Sequence, residues 1–563
     1  MEHYEIGLVI AAAVILLAVQ WWRLARKQRQ RIRDRIRNSW GNLLEREYTE
    51  ADWNRICYHC EHSKTEGFVL DAITWNDLEM NRVFEQLNHC WSSAGEEYLY
   101  DLLHCPTMQS ADLKKREALA AYFAAQSEVR ETLEYELYGI GRTKNISVYE
   151  YLDRLMALPK QSNLIHVICI AWIVGSIVVF AFDTSAGTLS IVLAAAFSMM
   201  SYYREKAKIE AYFQCMEYLA RMIRGGERIV EKLPEAPETE EAVQKLKETT
   251  EKLKPIRKGA GFLSQSTASG GNPFQIVLDY VMILFHVDLL KFNGMLRRAQ
   301  GCEADGFGML DTLGELETAL SIASYRNMML LVCTPDLKAG KDGFLEIENV
   351  WHPMLREPVP NSITADHSVL LTGSNASGKS TFLKTIAVNA VLAQTIYTVL
   401  AKSWSSSYFR VYSSMALRDS IENGESYYIV EIKSLKRILA AAEQENETPL
   451  LCFIDEVLRG TNTVERIAAS SQILHTLAKK KVLVFAATHD IELTELLEQE
   501  YANYHFEEEI QDGDVQFSYL LKQGKATTRN AIRLLSVMGY GENVIQAADA
   551  SAAHFLETGE WRM

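Results

Sequence analysis

Three stretches of the chain lack the regular polar interruptions of a water-soluble helix. Ile6 to Trp22 contains no charged residue and ends in Trp21-Trp22, and Leu164 to Phe182 carries only His166 as a titratable group. After Asp183-Thr184-Ser185, a third stretch runs from Ala186 to Tyr203. A helix rises about 1.5 Å per residue, so roughly 20 apolar residues cross a hydrocarbon core about 30 Å thick. The first stretch predicts a membrane anchor and the other two a helical hairpin. Arg23, Arg26, Lys27, Arg29, Arg31, Arg33, Arg35 and Arg37 follow the first; Lys160 precedes the hairpin and Arg204, Lys206 and Lys208 follow it. Flanking cations stay on the cytoplasmic side. The N-terminus and the Asp183 turn are therefore expected outside a cell membrane crossed several times, and every soluble domain in the cytoplasm. A cleaved leader would carry its cations before the apolar stretch, the reverse of the order here. Buried globular core helices are the alternative reading.

Elsewhere the pattern is helical up to about residue 342. Apolar residues recur amid charges in Asp112 to Leu137. Glu231 to Lys258, rich in Glu and Lys, reads as an exposed helical arm broken at Pro234, Pro237 and Pro255. Gly259 to Pro273 reads as a loop. Phe274 to Phe292 is interrupted by Asp279, His286, Asp288 and Lys291 and reads as one packed soluble helix. From about Gly343, short apolar runs alternate with helical ones, which predicts an α/β domain. The boundaries that follow are 1–40 for the anchor and its basic flank, 41–160 and 209–342 for two parts of a helical region, 161–208 for the hairpin, and 343–563 for the α/β domain.

The length of 563 residues exceeds what one core organises. The formal net charge of -15 argues against a surface basic throughout and built to coat nucleic acid. Nine scattered cysteines suggest reduced thiols rather than a disulfide framework. Cys57-Tyr58-His59-Cys60-Glu61-His62 holds metal-ligating types, but no second pair follows at zinc-site spacing, so unliganded thiols are expected.

The clearest chemistry lies in the α/β domain. Ser368 to Thr372 is a strand-like run leading into Gly373-Ser374-Asn375-Ala376-Ser377-Gly378-Lys379-Ser380-Thr381, the full G-x-x-x-x-G-K-[ST] pattern. Glycines let backbone amides close around phosphate oxygens, and a helix start adds its dipole. Lys379 is expected on the β- and γ-phosphates of ATP and Ser380 on Mg2+. A second apolar run, Leu450 to Ile454, ends in Asp455, a further candidate Mg2+ ligand, and Glu456, the candidate catalytic base for water. A third, Val482 to Ala487, delivers Thr488-His489-Asp490, with His489 as a candidate sensor of the γ-phosphate.

At these residues the chain resembles the MutS family of DNA mismatch-repair ATPases. The phosphate loop, Ile454-Asp455-Glu456 with Arg459-Gly460-Thr461-Asn462-Thr463, and Asp419 to Glu431 with Ser426 inside it are similar to the family's motifs. So are Trp351-His352-Pro353, Gln394 after the phosphate-loop helix, and Tyr519 to Gly524 with Asn530-Ala531. The resemblance covers about Glu346 to Ala550. It implies an α/β P-loop ATPase domain of ABC/MutS type, a homodimer in which Ser426 reaches the partner's γ-phosphate, and DNA as a candidate partner. A weaker likeness over Thr74 to Pro106, including Ser92 to Tyr100 and Cys105-Pro106, resembles the start of the family's lever domain, so the helical region with its membrane helices is expected to be lever-like. The chain departs from the family in its membrane segments. No mismatch-reading domain, with its intercalating Phe and adjacent Glu, precedes the levers, so mismatch selectivity is not expected. The alternative is a membrane ATPase acting on a protein or lipid partner without DNA.

Overall fold

The structure is a computed structural model. It describes the chain apart from residues 1, 63–66, 160, 258–272, 375–376, 416–426, 445, 459–460, 481, 512–513, 527–531, 533–534, 536–538 and 562–563. The side chains of 2–14, 17, 211, 273–278, 427, 509–511, 514–515 and 556 are also outside the description. The chain forms two compact units, one of residues 1–64, 88–101 and 118–328, the other of 65–87, 102–117 and 329–563.

The first unit is helical. A helix spans Glu2–Ser39, so the expected anchor is helical in backbone; the side chains of Ile6 to Val14 are outside the description. The hairpin comprises helices Leu164–Phe182 and Thr184–Lys232, joined at Asp183, whose carboxylate caps the second by accepting from Ser185 N at 2.9 Å and Ala186 N at 3.0 Å. The helices approach closely because Gly187 has no side chain: a Cβ there would lie 2.2 Å from Phe180 Cα. Ser176 and Ser190 hydroxyls meet at 2.6 Å across the pair. Leu164–Phe182 and Thr184–Glu210 are long and apolar enough to cross a membrane, and much of their apolar surface is exposed, as at Phe182 and Leu189.

Two expectations for this unit need correction. The stretch from Glu231 is not an exposed arm, because Ala242, Leu246, Thr249, Thr250 and Leu253 of helix Glu240–Leu253 are buried. Those residues recur at helical spacing and give an otherwise charged helix one packing stripe. Phe274 to Phe292 is not one helix either. His286, at φ 52°, breaks it into Pro273–Leu284 and Val287–Ala299. Expected loop residues 258–272 are outside the described residues. Cys57 Sγ donates to Tyr100 Oη at 3.3 Å, and His59 stacks on Tyr149 at 3.6 Å. The Cys57-to-His62 side chains thus take separate partners, and among the described residues no three His, Cys, Asp or Glu converge on a metal position.

The second unit is α/β. Its larger sheet has the order β10-β9-β4-β8-β7-β6, from strands β4 (Ser368–Thr372), β6 (Arg410–Ser414), β7 (Leu450–Asp455), β8 (Val482–Ala487), β9 (Tyr501–Gln511) and β10 (Asp514–Gln523). All neighbours are parallel except β9 and β10. Every residue of β4, β7 and β8 is buried, as expected of parallel strands covered on both faces. A smaller sheet orders β1 (Asp336–Lys338), β5 (Ser403–Ser407), β2 (Leu345–Val350) and β3 (Asn361–Ala365). Residues 67–87, expected among the helices of 41–160, pack into this α/β unit. Asp77 accepts from Ser413 Oγ at 2.7 Å and Met415 N at 2.9 Å, and Lys384 Nζ donates to Glu79 at 2.7 Å. Lys384 and Arg82 hold the Glu79 carboxyl down at about 2.

Candidate nucleotide site

The three strands that the sequence singles out lie side by side, with Leu371, Ala487 and Asp455 in one row at their C-terminal ends. Ligands of open α/β sheets bind outside such ends. Two backbone bonds tie the row together just beyond the strands: Thr488 N to Leu371 O and Glu456 N to Ala487 O, both 2.9 Å.

From β4 the chain turns at Gly373, φ 145°, where a Cβ would lie 2.7 Å from Phe506 O and 2.9 Å from Ser377 Oγ. Gly378, φ 108°, then leads into helix Lys379–Thr395. Lys379 is buried, and its ammonium donates to Gly373 O and Ser374 O, both at 2.8 Å, with His489 Nε2 3.5 Å away. His489 Nε2 lies 2.9 Å from Glu456 Oε1. Lys379, Glu456 and His489, which come from three motifs spread over more than a hundred residues of sequence, thus meet on one cleft. Asp455 is buried at the end of β7, and Ser380 is exposed in the first turn of the phosphate-loop helix. Asn375 and Ala376, Arg459 and Gly460, Asn530 and Ala531, and the signature serine Ser426 lie outside the described residues.

The backbone beyond β7 is strained. Glu456 and Leu458 both adopt left-handed conformations, φ 57° and 59°, which cost non-glycine residues of order 1–3 kcal/mol each. Glu431, buried, accepts from Leu458 N, and Ser470 Oγ donates to Val457 O at 3.2 Å. The end of the signature run thus buttresses the turn that presents Glu456.

Several motif residues prove to be supports. Asn462 caps helix Thr463–Ala478 by accepting from Glu465 N at 3.0 Å. Gln394 makes two bonds to the backbone of Phe409, at 2.9 and 2.7 Å. Residues with no local signature, Leu355, Val359 and Asn361, join the cleft and, with Tyr519 from the C-terminal motif, line it beside Lys379, Glu456 and His489, enclosing about 460 Å³. Asn361 donates to Tyr519 O at 2.9 Å and accepts from Leu521 N at 2.7 Å, fixing Tyr519 beside Gly378. Arg466 pairs with both Asp490 oxygens, at 2.9 and 2.6 Å, behind His489. His352 lines the same cleft, and burial, assisted by the Lys384 cation, pushes it down to about 4, so its ring is neutral at physiological pH.

The residues present fit a nucleotide and a hard divalent ion. Ser377 Oγ is buried without a hydrogen-bond partner among the described residues, inside a loop whose close turn excludes a side chain at Gly373. A hydroxyl and a carboxylate, Ser380 and Asp455, are oxygen donors of the kind Mg2+ takes.

Comparison with known proteins agrees on the family. Residues 369–556 match the family model MutS domain V. The chain is similar to the DNA mismatch repair protein MutS of Methanothrix thermoacetophila, 30% identical over 250 residues, which is 42% of this chain and 28% of that protein. It is also similar to that of Thermus thermophilus, 29% over 211 residues, 37% of this chain and 26% of the relative. The DNA mismatch repair protein MutS 2 of Haloarcula marismortui is 31% identical over 214 residues, 36% of this chain and 22% of that protein. The matched part thus spans little more than a quarter of these relatives at most. The chain thus has a C-terminal α/β unit, following a mostly helical region, that is similar to domain V of the MutS family.

Proposed function

We propose that this chain is a membrane-anchored MutS-like P-loop ATPase, in which ATP binding and hydrolysis change the shape of a homodimer that acts on DNA. The observation that carries the reading is the meeting of Lys379, Glu456 and His489 at the C-terminal ends of β4, β7 and β8. The backbone of Gly373 to Thr381 and the Lys379 ammonium hold the phosphates. Ser380 and Asp455 would hold Mg2+, which would supply charge neutralisation for the phosphates. Glu456 accepts a proton from the attacking water as its oxygen bonds to the γ-phosphorus and the bond to the ADP oxygen breaks. His489, hydrogen-bonded to Glu456, orients that carboxylate and senses the γ-phosphate. Ser426 acts on the nucleotide of the partner subunit. The parts of 41–160 and 209–342 that lie in the helical unit serve as levers, and the anchor with the hairpin holds the protein in the cell membrane with its soluble parts in the cytoplasm. The mismatch-repair names of the relatives support DNA as the partner. The exposed apolar hairpin and the net charge of -15 favour a second reading, the same ATPase acting on a membrane protein or lipid.

Glu456→Gln tests the core of this. It should bind ATP as the wild type does and turn it over at least about a hundredfold more slowly, since general-base catalysis contributes about 10²–10⁴. Wild-type turnover in this variant would remove Glu456 from the reaction. Ser426→Ala should lose turnover and keep nucleotide binding to the monomer. Hydrolysis at the wild-type rate there would refute the trans-acting assignment.

A further inference from the structure

Beside the hairpin, a groove of about 550 Å³ is walled by Ile170 on one side and by Phe285, Val287, Leu290, Lys291, Gly294 and Arg298 on the other. We propose that it seats one anionic phospholipid; this rests on the membrane placement proposed above. Val287, Leu290, Lys291, Gly294 and Arg298 recur at three- and four-residue spacing and so share one stripe of helix Val287–Ala299. The stripe is graded, apolar at Val287 and Leu290 and cationic at Lys291 and Arg298.

The grade has a fixed direction relative to the apolar hairpin. At the apolar end, His286 meets His166 of helix Leu164–Phe182, Nδ1 to Nδ1 at 2.7 Å, and Ser198 of the second hairpin helix at 3.0 Å. One residue into its own helix, Asp288 accepts from Tyr202 Oη at 2.6 Å. Further on, Phe292 stacks on Phe213 at 5.1 Å, a position beyond the apolar part of helix Thr184–Lys232. Helix Val287–Ala299 therefore runs along that helix away from the apolar segment, carrying its cations with it. Apolar atoms face the hydrocarbon side and cations the headgroup side, which is the polarity of a lipid.

Gly294 opens the middle of the groove. A Cβ there would meet only the Arg298 guanidinium, at 3.7 and 3.8 Å, so that side chain folds back over the glycine. Asp288, on the same helix, is buried against Tyr202 and Lys206 and does not line the groove. Two cations at the polar end favour a phosphodiester with net negative charge over a zwitterionic headgroup, and the apolar wall distinguishes a lipid from a free anion.

The test uses the full chain in detergent micelles and measures retained lipid by native mass spectrometry. Phosphatidylglycerol and phosphatidylcholine of the same acyl chains compete. The expected result is at least tenfold preference for phosphatidylglycerol, unaffected by an equal concentration of inorganic phosphate. Lys291→Gln with Arg298→Gln should abolish the preference. Gly294→Leu, which fills the groove and leaves both cations, should weaken phosphatidylglycerol binding at least fivefold; thermal melting checks that both variants are folded. Equal binding of the two lipids by the wild type, displacement by phosphate, or undiminished binding in folded Gly294→Leu overturns the proposal. Alkaline carbonate extraction of cell membranes is read separately. Release of the chain into the supernatant refutes the membrane placement itself, whereas retention in the pellet with no lipid preference refutes only the groove.

Discussion

Glu96 and Glu97 are neighbours in sequence, both fully buried, and their surroundings drive them in opposite directions. Around Glu96, Arg142, Arg55 and Arg46 outweigh burial and lower its carboxyl, Arg55 Nη2 lying 2.5 Å away. At Glu97 burial wins over Arg55 and the carboxyl is pushed up to about 8; Glu134 reaches about 8 and Glu317 about 7 for the same reason. A group whose pKa is raised on folding binds more protons folded than unfolded between its ordinary value, near 4.5, and its folded one. Its contribution to stability is complete below the former and lost as pH rises through the latter. The helical unit should therefore melt several degrees lower at pH 9 than at pH 5.5 by circular dichroism, and Glu97→Gln should flatten that slope. A slope unchanged in the variant would show that the Glu97 proton is not involved. At the nucleotide site, the contiguous residues were legible: Gly373 to Thr381 and Asp455-Glu456 follow apolar runs whose strand character fixes where they emerge. Asn361 and Arg466 were not legible as site residues, and Glu431 and Tyr519, although inside motif runs, were not legible in the roles they take. Each reaches the cleft or its supports through a tertiary hydrogen bond or ion pair whose partner lies far away in sequence. Glu431→Ala should leave Leu458 N buried without its acceptor and relax the turn that carries Glu456, so turnover should fall at least tenfold while ATP affinity holds. A parallel loss of affinity would show instead that Glu431 supports the whole loop.

At the scale of elements, composition settled more than periodicity. The strands β4, β7 and β8 were identified from unbroken apolar runs of strand length, because a strand buried on both faces has no polar alternation. The arm from Glu231 was misread because its charged residues outnumber the stripe of Ala242, Leu246 and Leu253 that packs it. The break at His286 has no sequence marker of the usual kind, since neither Gly nor Pro stands there. The hairpin depends on one small residue. With Gly187 replaced by Leu, the side chain would have to occupy the position of Phe180 backbone, and overpacking of that kind costs about 1–3 kcal/mol or forces the helices apart. Ser176→Cys with Ser190→Cys provides the readout, since the two hydroxyls lie 2.6 Å apart. The pair should crosslink under mild oxidation in the wild-type background and fail to do so with Gly187→Leu. Equal crosslinking in both backgrounds would contradict the close approach.

For the whole molecule, the decisive question is which side of a membrane each part occupies. Every cation run flanking the three apolar stretches implies the same answer: Arg23 to Arg37, Lys160, and Arg204 to Lys208 all lie at ends expected in the cytoplasm, and Asp183 stands alone at the opposite end of the hairpin. The proposed nucleotide site favours the same side, because ATP and Mg2+ are supplied there. Helices Leu164–Phe182 and Thr184–Lys232 leave no room for a domain between them, their connection being Asp183 itself, so the hairpin closes in a tight turn. A single cysteine introduced by Ser185→Cys, in a chain whose native cysteines are replaced by serine or alanine, should react with a membrane-impermeant maleimide in intact cells. One introduced by Ser405→Cys, on β5, should react only after lysis. The Ser185 position is suited to the test because its side chain is exposed, while its backbone N–H, bonded to Asp183, is unaltered by the substitution. ATP hydrolysis by the purified variants controls for folding of the second unit. If Ser185→Cys is labelled only after lysis while Ser405→Cys is labelled before it, the orientation is inverted. If both react only after lysis, the hairpin does not cross, and the exposed apolar helices must be covered by protein rather than lipid.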